Sequence, residues 1–213
     1  MVRQPYERKE VQFLNRRKNK VIIYSKNYDN RYIAIMENTN YYIFTGGPGS
    51  GKSTVLNILE NMGYMTVREV ARDIIKNQVR TNGDAVPWNN TVRYSNLMLL
   101  RSIVDFEEFI HMDKPCFFDR GIIDTLGYAR LIGIPITSGM ADAAHKYRYN
   151  IKVFVFPFWK EIYVNDPERK QDIDEAERTF WALKKEYEKF GYNTVDVPFL
   201  TPQERAEWIL EHL

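Results

Sequence analysis

The chain of 213 residues predicts an α/β fold: a three-layer α/β/α sandwich around a parallel sheet of five strands. Three observations carry that expectation. From residue 41 onward, short apolar runs alternate with amphipathic segments, the pattern of βαβ units and hence of a parallel sheet. A glycine-rich loop, 46–51, joins the first of these runs to the first helical segment. The length suits one domain with a sizeable core, and 44% apolar with 27% charged residues is the make-up of a globular chain.

The elements follow in order. Tyr41–Thr45 reads as a strand and Thr54–Glu60 as a helix. A short strand over Tyr64–Val67 leads to a helix opened by Arg68–Ile75, and the Asn, Gly, Asp and Pro of 80–90 make a loop. The next helix, 91–112, sets Leu99, Ile103, Phe106 and Ile110 on one face and ends at Lys114-Pro115. Cys116–Phe118 is a strand, and Gly133-Ile134-Pro135 separates helices over 122–132 and 138–148. Lys152–Phe156 is a buried strand stopped by Pro157. Asp172 and Glu175 form a capping box for a helix that repeats apolar residues at 176, 180, 183, 187 and 190 and stops at Gly191. Asn193–Val197 is the last strand. Thr201 as N-cap, Pro202 at N1 and Glu204 at N3 start the terminal helix.

Residues 1–40 differ from the rest. Nine Lys/Arg against three acids give residues 1–35 a net charge of +6, leaving −4 for the remainder of a chain whose total is +2. They read as a basic extension, either disordered or lying upstream of a true start at Met36; an arm gripping nucleic acid or a membrane surface is a further reading. The domain, 41–213, is mildly acidic, which gives no support for nucleic-acid binding. No apolar run reaches the 18 residues of a membrane span, the N-terminus lacks the apolar stretch of a signal peptide, and the single Cys116 sits in an apolar strand as a packing residue. With no internal disulfide to form, the chain is expected in the cytoplasm. The three histidines are scattered without metal-ligand spacing.

Chemistry is concentrated in a few places. Gly46, Gly47, Pro48, Gly49, Ser50, Gly51, Lys52 and Ser53 spell G-x-x-x-x-G-K-[ST] between a strand and a helix, the context that makes a phosphate-binding loop. Glycines let backbone N–H groups turn toward an anion, and the helix N-terminus adds its dipole there. Lys52 reaches the β- and γ-phosphates, and Ser53 ligates Mg²⁺. The run Gly46–Thr54 therefore binds a nucleoside triphosphate. Asp119 ends an apolar strand, where such a protein needs an acid for the Mg²⁺ shell, although an Asp there also suits a turn. Arg120 beside it offers phosphate oxygens a planar fork. Glu69, after the second strand, either accepts a proton from an attacking hydroxyl or orients water, or is a first-turn acid with Arg72 as its partner.

Together with Arg68-Glu69-Val70-Ala71-Arg72, Phe118-Asp119-Arg120-Gly121 with Asp124 and Tyr128-Ala129-Arg130, and the segment Ile162–Gln171, this loop resembles a family of small P-loop ATPases. They are described as AAA-type ATP-binding proteins, related to nicotinamide riboside kinase domains and kinase-like NTPases. The resemblance covers about residues 40–210, with Pro157-Phe158-Trp159 where the family commonly has Pro-Pro-Trp. It implies strand order 2-3-1-4-5, a lid at about 157–172 that brings Arg169 and Lys170 onto the phosphates, and ligands at the carboxyl ends of the strands. Without the lid's closure the same residues read as a solvated basic loop. The expected function is transfer of the γ-phosphoryl group of ATP, with Mg²⁺, to a small hydroxyl-bearing molecule; Lys52, Glu69, Asp119, Arg120 and Arg169 carry it. Plain ATP hydrolysis, or nucleotide sensing without an acceptor, are the alternatives. The absence of a second helical domain and of a trans arginine finger points to a monomer or small homo-oligomer rather than a hexameric ring.

Overall fold

The computed structural model describes residues 20–26, 32–110, 112–162 and 173–213. Its centre is a parallel sheet of five strands: β3 (Tyr41–Gly46), β4 (Met65–Val67), β5 (Cys116–Asp119), β7 (Lys152–Phe156) and β8 (Asn193–Asp196). The order across the sheet is β4-β5-β3-β7-β8. Counted along the strands of this sheet alone, this is 2-3-1-4-5, as expected. All four pairings are parallel, with Phe44 opposite both Asp119 and Phe154.

Period-two alternation divides the side chains of these strands between two cores. Tyr41, Ile43, Cys116, Phe118, Val153 and Val155 face one side. They are covered there by α3 (Thr91–Glu108), α4 (Ile122–Leu131), α5 (Ser138–Lys146) and α6 (Ile173–Lys189). Tyr42, Phe44, Phe117, Phe154 and Phe156 face the other side, under α1 (Lys52–Asn61) and α7 (Pro202–Glu211). Both faces being buried explains why the strands read as unbroken apolar runs. Cys116 is wholly buried, and burial pushes its thiol up to about 12, so it packs and does not react.

The helices stop where their sequences say. Thr201 accepts from Glu204 N at 3.3 Å and Glu204 returns a bond to Thr201 N at 2.9 Å, closing the predicted capping box of α7. The helix α2 (Val70–Arg80) is followed by the predicted loop. Two differences stand out. The helix from 91 ends at Glu108, short of 112, because Ile110 bonds back to Glu107 and the chain turns away. The helix from 138 ends at Lys146, where Tyr147–Arg148 form a two-residue strand, β6. The Asp172 cap lies outside the described residues.

The segment assigned to a basic extension is corrected in part. Residues 20–26 and 32–38 are strands, β1 (Lys20–Lys26) and β2 (Tyr32–Asn38), paired as an antiparallel hairpin. β2 then pairs in parallel with β6, Met36 opposite Tyr147 and Glu37 opposite Arg148. Met36 packs on the core, and Asn38 is fully buried with its side chain accepting from Asn40 N at 3.0 Å. Net charge reports which side chains meet water and says nothing about backbone pairing, so it placed the boundary too late. Residues 1–19 lie outside the description. Among the described residues, no helix is long and apolar enough to cross a membrane.

Candidate functional site

The site lies at the carboxyl ends of β3, β4 and β5, where the parallel sheet opens. β3 runs into the glycine loop and α1 starts at Lys52. Gly46 is required by backbone contact and Gly51 by its left-handed conformation. Gly46, at φ 131°, lies so close to β7 that a Cβ would meet the Phe156 carbonyl oxygen at 2.3 Å. Gly51, at φ 87°, would put a Cβ 2.9 Å from a guanidinium nitrogen of Arg205. α1 has no side-chain cap and no acid in its first turn, which leaves the positive end of its dipole for an external anion. The Lys52 ammonium folds over the loop and donates to the Gly47 carbonyl at 2.8 Å and to Ser50 Oγ at 3.2 Å. Ser50 itself donates to the Gly47 carbonyl at 2.9 Å.

Ser53 and Asp119 meet across the loop. Ser53 Oγ donates to Asp119 Oδ2 at 3.1 Å, while the buried Asp119 Oδ1 has no hydrogen-bond partner. Burial, and then the charge of Glu69, push the Asp119 carboxyl above its usual range, against the pull of Lys52, Arg120 and the Ser53 bond. Among the described residues no cluster of three or more His, Cys, Asp or Glu fits a metal. A hydroxyl and one carboxylate with an unused oxygen is nevertheless the set that suits Mg²⁺, which keeps several waters and takes its other ligands from phosphates. The residues present fit that ion.

Arg120 joins the two halves of the site. It is half-buried at the end of β5 with φ 74°, and its N–H bonds the Phe44 carbonyl at 2.9 Å. Its guanidinium donates to Glu69 at 2.9 Å, to the Gly46 carbonyl at 3.1 Å and to Asp124 at 3.3 Å. Burial works against its charge, but Glu69, Asp124 and Asp119 outweigh that and hold the guanidinium more firmly protonated than usual. Asp124 anchors it: its carboxylate also accepts from Thr45 Oγ1 (2.5 Å), Tyr187 Oη (2.6 Å) and Gly121 N (2.8 Å). Glu69 occupies the N-cap position of α2 but makes no capping bond. Its carboxylate turns instead to Arg120, with Arg72 at 3.7 Å. Beside Glu69 and Arg120 opens a cavity of about 990 Å³ whose inner end is formed by Pro48, Glu69, Arg120 and Asp124.

Lys52, Ser53, Glu69, Asp119 and Arg120 are thus brought together from three separate stretches of chain, and Thr54 follows on the first turn of α1. Arg169 and Lys170 lie outside the described residues, as does most of the expected lid; of that segment, Lys160–Ile162 is a single 3-10 turn. Sequence reading overlooked Arg205. It is 1% exposed on α7, donates to the Ser50 carbonyl at 3.0 Å, and leaves Nε and one terminal nitrogen unpartnered. Its guanidinium lies over the rings of Phe156 (4.6 Å) and Trp159 (5.6 Å). Its trace in the sequence is an arginine on the apolar face that Ile209 shares.

The sequence profile of the AAA domain family matches residues 41–205, and the chain belongs to that family. No curated protein matches the sequence. Among solved structures the chain is similar to the NadR protein in complex with NR, with a TM-score of 0.60 at 16% identity over 80% of this chain and 49% of that one. The chain therefore spans about half the length of NadR. It is similar also to deoxyadenosine kinase from M. mycoides with bound dATP (0.53, 14%, 81% and 97%) and to thymidylate kinase from Ehrlichia chaffeensis (0.52, 12%, 82% and 97%). At these identities the likeness establishes the fold, that of the kinase-like P-loop NTPases.

Proposed function

We propose that the protein transfers the γ-phosphoryl group of ATP to a hydroxyl-bearing small molecule. The observation that carries this reading is the Glu69–Arg120 pair at the inner end of a 990 Å³ cavity, side by side with the Ser53–Asp119 pair at the phosphate loop. Hydrolysis needs room for one water beside the phosphates; a cavity of this size is suited to an organic acceptor. Lys52 and the loop amides would bind the triphosphate. Ser53 and Asp119 would hold Mg²⁺, which when bound neutralises charge on the phosphates. Arg120, fixed by Asp124 and Glu69, would steady the phosphoryl group in flight. Glu69 would accept the proton of the acceptor hydroxyl, and Arg169, by the family resemblance, would close over the phosphates. Every group invoked belongs to one chain, so the reading needs no ring.

The test is ATP turnover in the presence and absence of acceptor alcohols, for the parent and Glu69→Gln. Transfer should fall about 10²–10⁴-fold in Glu69→Gln with ATP binding kept, while slow background hydrolysis changes much less. Equal losses of transfer and hydrolysis would instead make Glu69 a water-orienting residue of an ATPase.

A further inference from the structure

The cavity beside Glu69 has two unlike ends and an apolar middle. Its inner end is polar but occupied: the Glu69 and Asp124 carboxylates are both bonded to Arg120. Its middle is walled by Ile75 and Val79 from α2, Trp88 from the loop before α3, Met98 from α3, and Tyr128 and Ile132 from α4. These side chains offer rings and aliphatic surface to stack against; α6 (Ile173–Lys189) adds Leu183 to the wall together with two polar groups, Thr179 and Glu175. At the outer end stand two cations, Lys76 and Arg80, on successive turns of one face of α2. Lys76 has no ion-pair partner among the described residues, and Arg80 bonds only the Asn77 side chain, at 3.0 Å.

The helix provides a ruler. Lys76 follows Glu69 by seven residues and Arg80 by eleven, roughly 10 and 16 Å along an axis rising 1.5 Å per residue. An occupant that fills the cavity therefore meets, in sequence, a base, an apolar corridor and a pair of positive charges.

We propose that the acceptor is an amphipathic alcohol: its hydroxyl lies at Glu69, its body is apolar and ring-bearing, and an anionic group at the far end is held by Lys76 and Arg80. This rests on the phosphoryl-transfer reading for the placement of the hydroxyl. A single exposed ion pair contributes little, but two cations on one anion at the rim of an apolar wall add to one another, and reversing both replaces attraction with repulsion. Opposed charge at that end works out to about a tenfold or greater change in affinity.

The probe is 4′-(hydroxymethyl)biphenyl-4-carboxylate, with its methyl ester as the uncharged twin. Binding to the full chain is measured by calorimetry without ATP. The carboxylate should bind saturably, and at least about tenfold more tightly than the ester. The double variant Lys76→Glu/Arg80→Glu should weaken the carboxylate about tenfold or more while leaving ester binding unchanged, which also reports that the variant is folded. Equal affinity for acid and ester, or an unchanged acid affinity in the double variant, overturns the anion site. Failure of both biphenyls to bind saturably overturns the apolar corridor. Because no nucleotide is present, these outcomes stand apart from the phosphoryl-transfer reading, whose failure would appear as ADP release that no acceptor stimulates.

Discussion

Replacing Arg205 by methionine should barely change the stability of the protein yet weaken its hold on ATP. Burial brings the guanidinium down to about 10 from its ordinary 12.5. At 1.36 kcal/mol per unit, carrying the charge in the folded state costs up to about 3 kcal/mol. A base with a lowered folded pKa destabilises the native state wherever it is charged, so at neutral pH the full cost applies, and it lifts only as pH rises through about 10 to 12.5. Against it stand the charged bond to Ser50, of about 1.5–3 kcal/mol, and the Phe156 and Trp159 ring faces, of about 0.5–1 kcal/mol each. The two sides nearly cancel. Methionine keeps the length and apolar contact of the stem. The melting temperature of Arg205→Met should therefore stay within about 4 °C of the parent, since 1 kcal/mol moves a domain of this size by about 2–4 °C. What is lost is a positive charge packed directly behind the phosphate loop. If that field contributes about 1 kcal/mol to binding, ATP affinity by calorimetry falls about fivefold, and Arg205→Lys recovers part of it. A melting point more than about 10 °C lower with ATP affinity unchanged would refute the reasoning and make Arg205 a structural clamp.

The other expectations are simpler to state. Lys52→Ala should keep the apo melting point and lose the rise that ATP produces, since the rise measures binding to the native state; an undiminished rise would remove Lys52 from the nucleotide site. Because the Asp119 carboxyl is held above the usual range, it should protonate early as pH falls, so Mg²⁺-dependent ATP binding should weaken on acidification sooner than for an ordinary aspartate. The apo protein should show the opposite trend, losing stability as pH rises through that raised value, because there the native state holds the extra proton. Asp119→Asn should abolish Mg²⁺-dependent binding and this part of the pH dependence together, read by melts at pH 5 and pH 8 with and without Mg²⁺–ATP. A chain that starts at Met36 keeps both residue pairs between β2 and β6 and the whole five-stranded sheet, so it should fold and bind ATP with parental affinity; loss of binding would show that the hairpin supports the site.

The elements that the sequence disclosed are those whose physics is local or strongly patterned. β3, β5 and β7 are apolar runs because both of their faces are covered, and these three, with the edge strand β8, lie within a residue or so of their predicted bounds. The loop from Gly46 was legible because left-handed turns and close backbone contact leave little choice but glycine. β6 was not, since two residues carry no periodicity and their partner, β2, is more than a hundred positions upstream. Asp119 and Arg120 were found as chemistry-bearing types at a strand end. The knot that fixes Arg120, with Thr45, Asp124 and Tyr187, depends on three elements meeting. Arg205 was missed for a related reason: a charged residue in a terminal helix reads as solvated, and only packing against β7 and the loop puts it under cover.

Arg120 shows how the fold and the proposed chemistry depend on each other. A non-glycine residue at φ 74° costs of order 1–3 kcal/mol and persists only where its surroundings over-determine it. Here they do. The backbone N–H is held by Phe44 on the neighbouring strand, and the side chain by Glu69, Asp124 and the Gly46 carbonyl. In the ordinary extended conformation the chain would continue the line of β5 and carry the guanidinium past the loop. The left-handed residue turns it back across the end of β3, so that one cation touches the phosphate loop through Gly46 and meets Glu69 at the cavity. A metal pair on one side and a base on the other would be two separate features without that link. With it, Glu69 is held at a fixed distance from the loop before any ligand arrives, which is the preorganisation that the proposed transfer between two bound molecules would require.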